Sequence, residues 1–384
     1  MKNFLFKLYL GCIKLVLQFT KTDANKYVIL NGAGRSGSNG FLFYKYLREN
    51  HPEISVELVE PFPTTHLSFK TWQSISRAKF IFVTHEPFKI KRNQICVELW
   101  HGIPLKRMGF MAKNTNPTNN LKTMKTWAKE ADYVASSSAL YESLMSACVG
   151  ISDDKYLRVG FPRIDALYGQ ADELSEAIIE QLFDAPKVNK QTKLGIYMPT
   201  FRFELENESV MQEISAGNFL AVSDFDLQQL NAFLQQHNQF LLVRLHPYEQ
   251  KFMKQELRLS NIAVLEDAYL VEHELDLYEI LRVTDYLITD FSSVYFDYLH
   301  LNKPVYFLAN HLNEYLAKRG ILLDPYEKVT PGVKVTSQTE LEQAMVSDDH
   351  CAAKRTECLE LSYSIPKNAN SQRLFDQLIE VKGD

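Results

Sequence analysis

The chain alternates short unbroken apolar blocks with stretches in which apolar positions recur every three to four residues. Compact apolar blocks bounded by polar turn residues predict buried strands, and the periodic stretches between them predict amphipathic helices. In the first half the strands fall at 27–31 (YVILN), 55–60 (SVELVE), 79–84 (KFIFVT), 95–100 (ICVELW), 132–136 (DYVAS) and 156–160 (YLRVG). The second half restarts the pattern at 194–198 (LGIYM), 239–245 (QFLLVRL), 262–266 (IAVLE), 285–289 (DYLIT) and 304–309 (PVYFLA). This is the rhythm of parallel sheets covered on both faces. Residues 169–193 read as a polar helix followed by a loop, the natural boundary between two such sheets. MAKNTNPTNNLKTM at 111–124 reads as a mobile loop, and 367–382 as an amphipathic helix opened near Asn370 or Ser371.

The first residues, MKNFLFKLYLGCIKLVLQFTK, are apolar but broken by Lys7 and Lys14, too short for a spanning helix. On a helical wheel Asn3, Lys7, Gly11, Lys14, Gln18 and Lys21 share one stripe, a pattern able to lie on an anionic membrane surface. A helix packed on the protein's own core, with its lysines in water, fits nearly as well. The expected organisation is a membrane-interface segment at 1–24, α/β domains at 25–170 and 171–365, and a C-terminal helix at 366–384. Two Rossmann-type domains facing across a cleft are the simplest architecture for this order.

Composition narrows the chemistry. With 46% hydrophobic and 23% charged residues the chain is of the soluble globular kind, and 384 residues favour two domains. A formal net charge of −5 offers no general attraction for nucleic acid, so an anionic ligand must meet local Arg, Lys, His and helix ends. Cys12, Cys96, Cys148, Cys351 and Cys358 are scattered without CxxC spacing, which fits a reducing compartment and argues against structural zinc.

Gly32-Ala33-Gly34-Arg35-Ser36-Gly37 spells GxGxxG after a strand, with Glu57 or Glu60 where a dinucleotide fold places its ribose acid. A nicotinamide-dependent oxidoreductase is therefore a formal rival. The loop is lengthened by Ser38, Asn39 and Gly40, however, and no P-loop Lys follows.

Stronger signals recur at strand ends. ELWHGIPLKRMG (98–109) places His101 at a strand-end turn with Lys106 and Arg107 beyond, a setting for a base serving a phosphate. GFPRID (160–165) carries Arg163, YMPTFR (197–202) carries Thr200 and Arg202, and VRLHP (243–247) carries Arg244 and His246. Arginine's fork engages two phosphate oxygens at once. In ITDFSSVYFD (288–297), Ser292 and Ser293 either cap the next helix or donate hydroxyls to phosphate, and Asp297 lies one turn inside. Asp290, Asp297 and His300 have no supporting carboxylate cluster, so no tightly bound metal is expected.

In this order and spacing, WHGIPLKRMG, GFPRID, YMPTFR, VRLHP and ITDFSSVYFD resemble the CDP-glycerol glycerophosphotransferases of teichoic-acid and capsule synthesis. The likeness is close over roughly 90–310 and loose before it. It implies a GT-B-like pair of Rossmann domains, peripheral on the cytoplasmic face of a bacterial membrane, using no cofactor. It implies CDP-glycerol as donor and a lipid-linked saccharide or glycerol-phosphate polymer as acceptor. His101 would be the general base and His246 would hold the charged phosphate. Trp100, Gly102, Ile103, Pro104, Arg163, Pro199, Thr200, Arg244, Ser292, Ser293 and Asp297 would bind substrate. The short chain looks like the primase branch, whereas HGIP is spelled as polymerases spell it. Alternatives are a transferase using another CDP-polyol such as ribitol, a nucleotide-sugar glycosyltransferase, and a non-catalytic nucleotide-binding scaffold.

Overall fold

The computed structural model describes residues 2–60, 67–113, 115–169, 173–184, 188–201, 208–246, 249 and 257–383. Each apolar block forms its strand. The first six are β1 (Asp23–Leu30), β2 (Ser55–Val59), β3 (Ala78–Val83), β4 (Ile95–Glu98), β5 (Tyr133–Ala135) and β6 (Tyr156–Leu157). They pair in the order β2-β1-β3-β4-β5-β6, every pair parallel. The next are β7 (Lys193–Tyr197), β8 (Gln239–Val243), β9 (Ile262–Val264), β10 (Tyr286–Thr289), β11 (Val305–Leu308) and β12 (Val333–Val335). These form a second parallel sheet, ordered β12-β11-β10-β7-β8-β9. The fold is thus mixed α/β with two parallel six-stranded sheets. Unbroken burial along β8, β10 and β11 explains why these strands read as continuous apolar runs.

The chain divides into two compact units. The first holds residues 1–101, 115–166 and 363–384, and the second holds 102–114 and 167–362. In the first unit the helices are α1 (Lys2–Leu17), α2 (Asn39–Asn50), α3 (Phe69–Arg77), α4 (Pro117–Glu130), α5 (Ala139–Val149) and α6 (Pro162–Asp165). Ile13 and Leu17 of α1 join Val28, Leu30, Trp72, Ile75, Val83 and Cys96 in one buried cluster. Of the two expectations for this segment the structure shows the packing on the core; Leu8, Leu15, Val16 and Phe19 face outward, Phe19 at 84% exposure. Lys14 is turned onto the protein, 3.9 Å from Glu130 and with its ammonium 4.8 Å from the Phe88 ring centroid. The outward stripe is therefore more apolar than the wheel suggested.

Residues 111–124, expected as a loop, become helical from Pro117, because Asn116 caps the Thr118 and Asn119 N–H groups and Pro117 pre-sets the first turn. The C-terminal helix, Asn370–Gly383, belongs to the first unit. Asp165 at the end of α6 holds its start: one carboxylate oxygen accepts from Asn370 N–H and Nδ2, and the other from Ser371 N–H, each at 2.8 Å. Leu374, Phe375 and Leu378 are buried beneath it.

In the second unit, Leu241, Val243, Tyr286, Ile288, Tyr306 and Leu308 pack with Leu230, Leu234 and Leu341. The loop 102–114 belongs to this unit. Lys106 bridges Ile321 in antiparallel fashion, Leu322 N–H donates to Leu105 O, and Arg107 Nε donates to Ile321 O at 3.1 Å. Strand order reverses between β1 and β3 in one sheet and between β7 and β10 in the other. Such reversals open a crevice at the strands' carboxyl ends, the usual ligand position in open α/β sheets.

Candidate functional sites at the strand ends

In the first unit β4 ends in a strained turn. Trp100 takes φ +49°, an unfavourable region for a bulky residue. Three contacts hold it: Trp100 N–H donates to Glu98 Oε1 at 2.8 Å, and Asn39 Nδ2 donates to Leu99 O and Trp100 O, each at 2.9 Å. Gly102 follows at φ +141°, also disfavoured with a side chain, while Ile103 and Pro104 are buried in the other unit. The result is an exposed His101 ring stacked on Trp100 at 4.1 Å and on His85 at 4.9 Å between centroids. His101 Nδ1 lies 3.2 Å from Thr84 O. A carbonyl only accepts, so this contact fixes the proton on Nδ1 and makes Nε2 the basic nitrogen.

Asn39 also brings two of the sequence motifs together. Its Oδ1 accepts from Arg163 N–H at 3.1 Å, so GFPRID and the Trp100–His101 turn share one side chain. The Arg163 side chain itself is buried, its guanidinium 5.5 Å from the Phe161 ring centroid. Asn39, Thr84 and Glu98 were missed from sequence. Glu98 carried a signal, a carboxylate in an otherwise apolar block, and Asn39 stood in the Gly-rich loop.

That loop is engaged internally. Glu60 accepts from Asn31 Nδ2 at 2.8 Å and pairs with Arg35 at 2.7 Å. The helix begins only at Asn39, capped by Ser38, and Gly40 is the close-approach residue: a Cβ there would stand 3.0 Å from Ile29. This supplies a packing reason for Gly40, while Gly34 and Gly37 take positive φ, and Glu60 at the ribose-acid position is occupied by protein groups.

Glu98 is fully buried, and burial pushes its carboxyl well above the usual carboxylate range. Above about pH 4.3 the unfolded chain gives up this proton while the folded chain keeps it, so stability falls as pH rises through that window. Glu98→Gln keeps the acceptor for Trp100 N–H and cannot titrate. Relative to wild type it is expected to gain stability from about pH 5 to pH 8, by at most about 1.4 kcal/mol per pH unit, measured by chemical denaturation. A pH-independent difference between the two proteins would contradict this.

In the second unit the β7 and β10 ends lie side by side at the order reversal. Thr200 N–H donates to Asp290 Oδ1 at 2.6 Å and Thr289 Oγ1 to Met198 O at 2.7 Å, fastening the Met198-Pro199-Thr200 turn to the β10 end. Thr200 Oγ1 is buried without a hydrogen-bond partner among the described residues. Ser292 and Ser293 are half-buried at the start of the short helix Val294–Tyr298. Of the two expected roles, capping is not taken: Ser293 is the N-cap residue but adopts φ −69°, ψ −5° and its side chain makes no capping bond.

Other expected ligands are committed to the protein. Asp297 is buried and accepts from Tyr278 OH, and Arg244 pairs with Asp267 while donating to Leu265 O at 2.9 Å. These contacts brace the turns. His246 is exposed and its ring lies 4.3 Å from that of Phe201 between centroids. Arg202 and Pro247 fall outside the described residues. His300 Nδ1 meets Tyr168 OH at 2.8 Å, so Asp290, Asp297 and His300 each serve a different partner. Among the described residues no three His, Cys, Asp or Glu side chains gather as a metal site.

Comparison with known proteins places these turns in a family. The sequence model described as CDP-glycerol:poly(glycerophosphate) glycerophosphotransferase matches residues 44–380. The teichoic acid poly(glycerol phosphate) polymerase of Bacillus subtilis (strain 168) is 28% identical over 335 residues, 77% of this chain and 40% of that protein. The teichoic acid ribitol-phosphate polymerase TarK of Staphylococcus aureus (strain NCTC 8325 / PS 47) is 24% identical over 397 residues, 98% of this chain and 72% of that protein. The chain therefore spans two fifths to about three quarters of these two relatives. A solved structure of the wall teichoic acid polymerase TagF, soaked with CDPG, matches all of this chain and 96% of its own at TM-score 0.76 and 20% identity, which extends the likeness to the fold. The chain belongs to the CDP-glycerol:poly(glycerophosphate) glycerophosphotransferase family.

Proposed function

We propose that this chain transfers glycerol phosphate from CDP-glycerol to a hydroxyl of a lipid-linked saccharide or a glycerol-phosphate polymer, releasing CMP. The observation carrying this is the His101 turn, an exposed imidazole whose Nδ1 is tied to Thr84 O so that Nε2 can take a proton. In the proposed step the acceptor oxygen attacks the glycerol-bearing phosphorus and its proton passes to Nε2. The bridging P–O bond breaks, and CMP leaves with the bonding electrons. Position and charge stabilisation then carry most of the catalysis.

The second unit is the proposed donor side, with Thr200, Ser292, Ser293 and the Pro199 turn meeting the diphosphate and His246 its charge. Arg244 and Asp297 act by bracing those turns. In the first unit Trp100 would line the acceptor face, and Arg163 would support the same turn through Asn39. We propose the first unit as the acceptor domain and the second, with its loop 102–114, as the donor domain of a GT-B-like enzyme. CMP release from CDP-glycerol, compared with CDP-ribitol and UDP-sugars, tests the activity. Preferred turnover of CDP-ribitol would make the chain a ribitol-phosphate transferase, and binding without any CMP release would make it a scaffold.

We further propose a peripheral position on the cytoplasmic face of a bacterial membrane. No described helix is long and apolar enough to cross a membrane. Support comes from the outward stripe Leu8, Leu15, Val16 and Phe19 on and just after α1. The double substitution Leu15→Glu and Phe19→Glu leaves the buried Ile13 and Leu17 in place. It is expected to release the protein from anionic vesicles in sedimentation while its thermal midpoint is kept; undiminished sedimentation would count against this stripe as the membrane contact.

A further inference from the structure

A cavity of about 240 Å³ lies in the first unit, at the β1/β3 order reversal. Its walls are mainly apolar: Phe6 and Leu10 from α1, Leu30 and Val83 from the sheet, and Trp72 and Phe88 beside them. Its polar lining comes from Thr84, His85 and Glu86, consecutive residues just past the end of β3. Two of these residues support the candidate base itself, since His101 Nδ1 contacts Thr84 O and its ring stacks on His85. The other wall is α1, whose far side carries the exposed apolar stripe.

A cavity of ~150 Å³ with apolar walls is enough to take a benzene ring, so this one has room for a run of methylenes. A carbohydrate or phosphate would lose hydration against Leu30, Val83 and Trp72 without regaining hydrogen bonds. An amphiphile fits both kinds of lining: its chain lies among the apolar walls while its hydroxyl head stands beside Thr84 and His85, next to His101. We propose that this cavity holds the first part of the hydrocarbon chain of an amphiphilic acceptor in which glycerol phosphate is joined directly to the chain, the simplest primed form of a glycerol-phosphate polymer, and thereby presents its hydroxyl to His101. The acceptor role rests on the transferase function proposed above; the chain-binding role does not.

The test uses the full chain and glycerol phosphate esterified with alkyl tails of increasing length, from butyl to dodecyl, each kept monomeric. Calorimetric affinity is expected to rise by about fourfold per added methylene until the cavity is full and then to level off. Leu10→Trp and Val83→Phe, each filling the cavity from a different wall, are expected to flatten that rise, and whichever folds suffices. A brominated undecyl tail should quench tryptophan emission in wild type, and less so in Trp72→Phe. Affinity independent of tail length, or a rise that survives both filling variants, would overturn the cavity as the chain site. With CDP-glycerol present, the dodecyl acceptor is expected to exceed the butyl one at least tenfold in kcat/KM. If the tails bind as described but no CMP forms from any of them, the acceptor role is lost and the chain site stands.

Discussion

Replacing His101 by alanine is expected to lower kcat for CMP release from CDP-glycerol by ~10²–10⁴-fold, the usual contribution of a positioned base. The KM for CDP-glycerol should change little, because the proposed donor contacts belong to the other unit and the imidazole acts on the acceptor. The geometry makes this a clean substitution. His101 is exposed, so no cavity opens in the core, and the strained Trp100 conformation is held by Glu98 and Asn39. Glu98→Gln should keep most activity, since its oxygen still accepts from Trp100 N–H. A His101→Ala enzyme with unchanged kcat would remove this ring from the base role, and one that also lost donor affinity would point to a misfolded turn.

Gly160→Ala is expected to be the most damaging single methyl in the first unit. Gly160 sits at φ +82°, and a Cβ there would stand 2.1 Å from Asn370 Oδ1 and 2.2 Å from Tyr363 OH. Neither atom is free to yield. Tyr363 OH donates to Asn370 Oδ1 and accepts from Phe161 N–H, and Asn370 is clamped by Asp165. Left-handed backbone costs a side chain about 1–2 kcal/mol and overpacking about 1–3 kcal/mol, so a loss of about 3 kcal/mol is expected in chemical denaturation. A loss below about 0.5 kcal/mol would show that this junction relaxes freely.

Both variants lie in segments first read for phosphate chemistry, and they show what was legible. The strands were visible because parallel sheets bury both faces and leave unbroken apolar runs. β12 (VKV) escaped because it is three residues long with an exposed Val333 and a Lys between its valines. The turns that carry the family motifs could be located, but the duties of individual side chains could not. Asp165 of GFPRID docks a helix some two hundred residues later in the chain, and Asp297 serves Tyr278. Sequence spacing along one strand and helix does not reveal such partners, since each is set by which distant element packs there. The same holds for Thr84, whose carbonyl orients His101 although its side chain looked unremarkable among apolar neighbours.

The interleaving of the two units bears on how the polypeptide is made. Residues 363–384 complete the first unit, yet they emerge from the ribosome after the whole of the second. Domains usually fold as units in order of synthesis, but here the earlier-made half waits, its α6 end and buried Asn39 network lacking the helix that Asp165 will clamp. The first unit of such a nascent chain is therefore completed only after the second has been translated, and a chaperone that shields apolar surface should be found mainly on the half translated earliest.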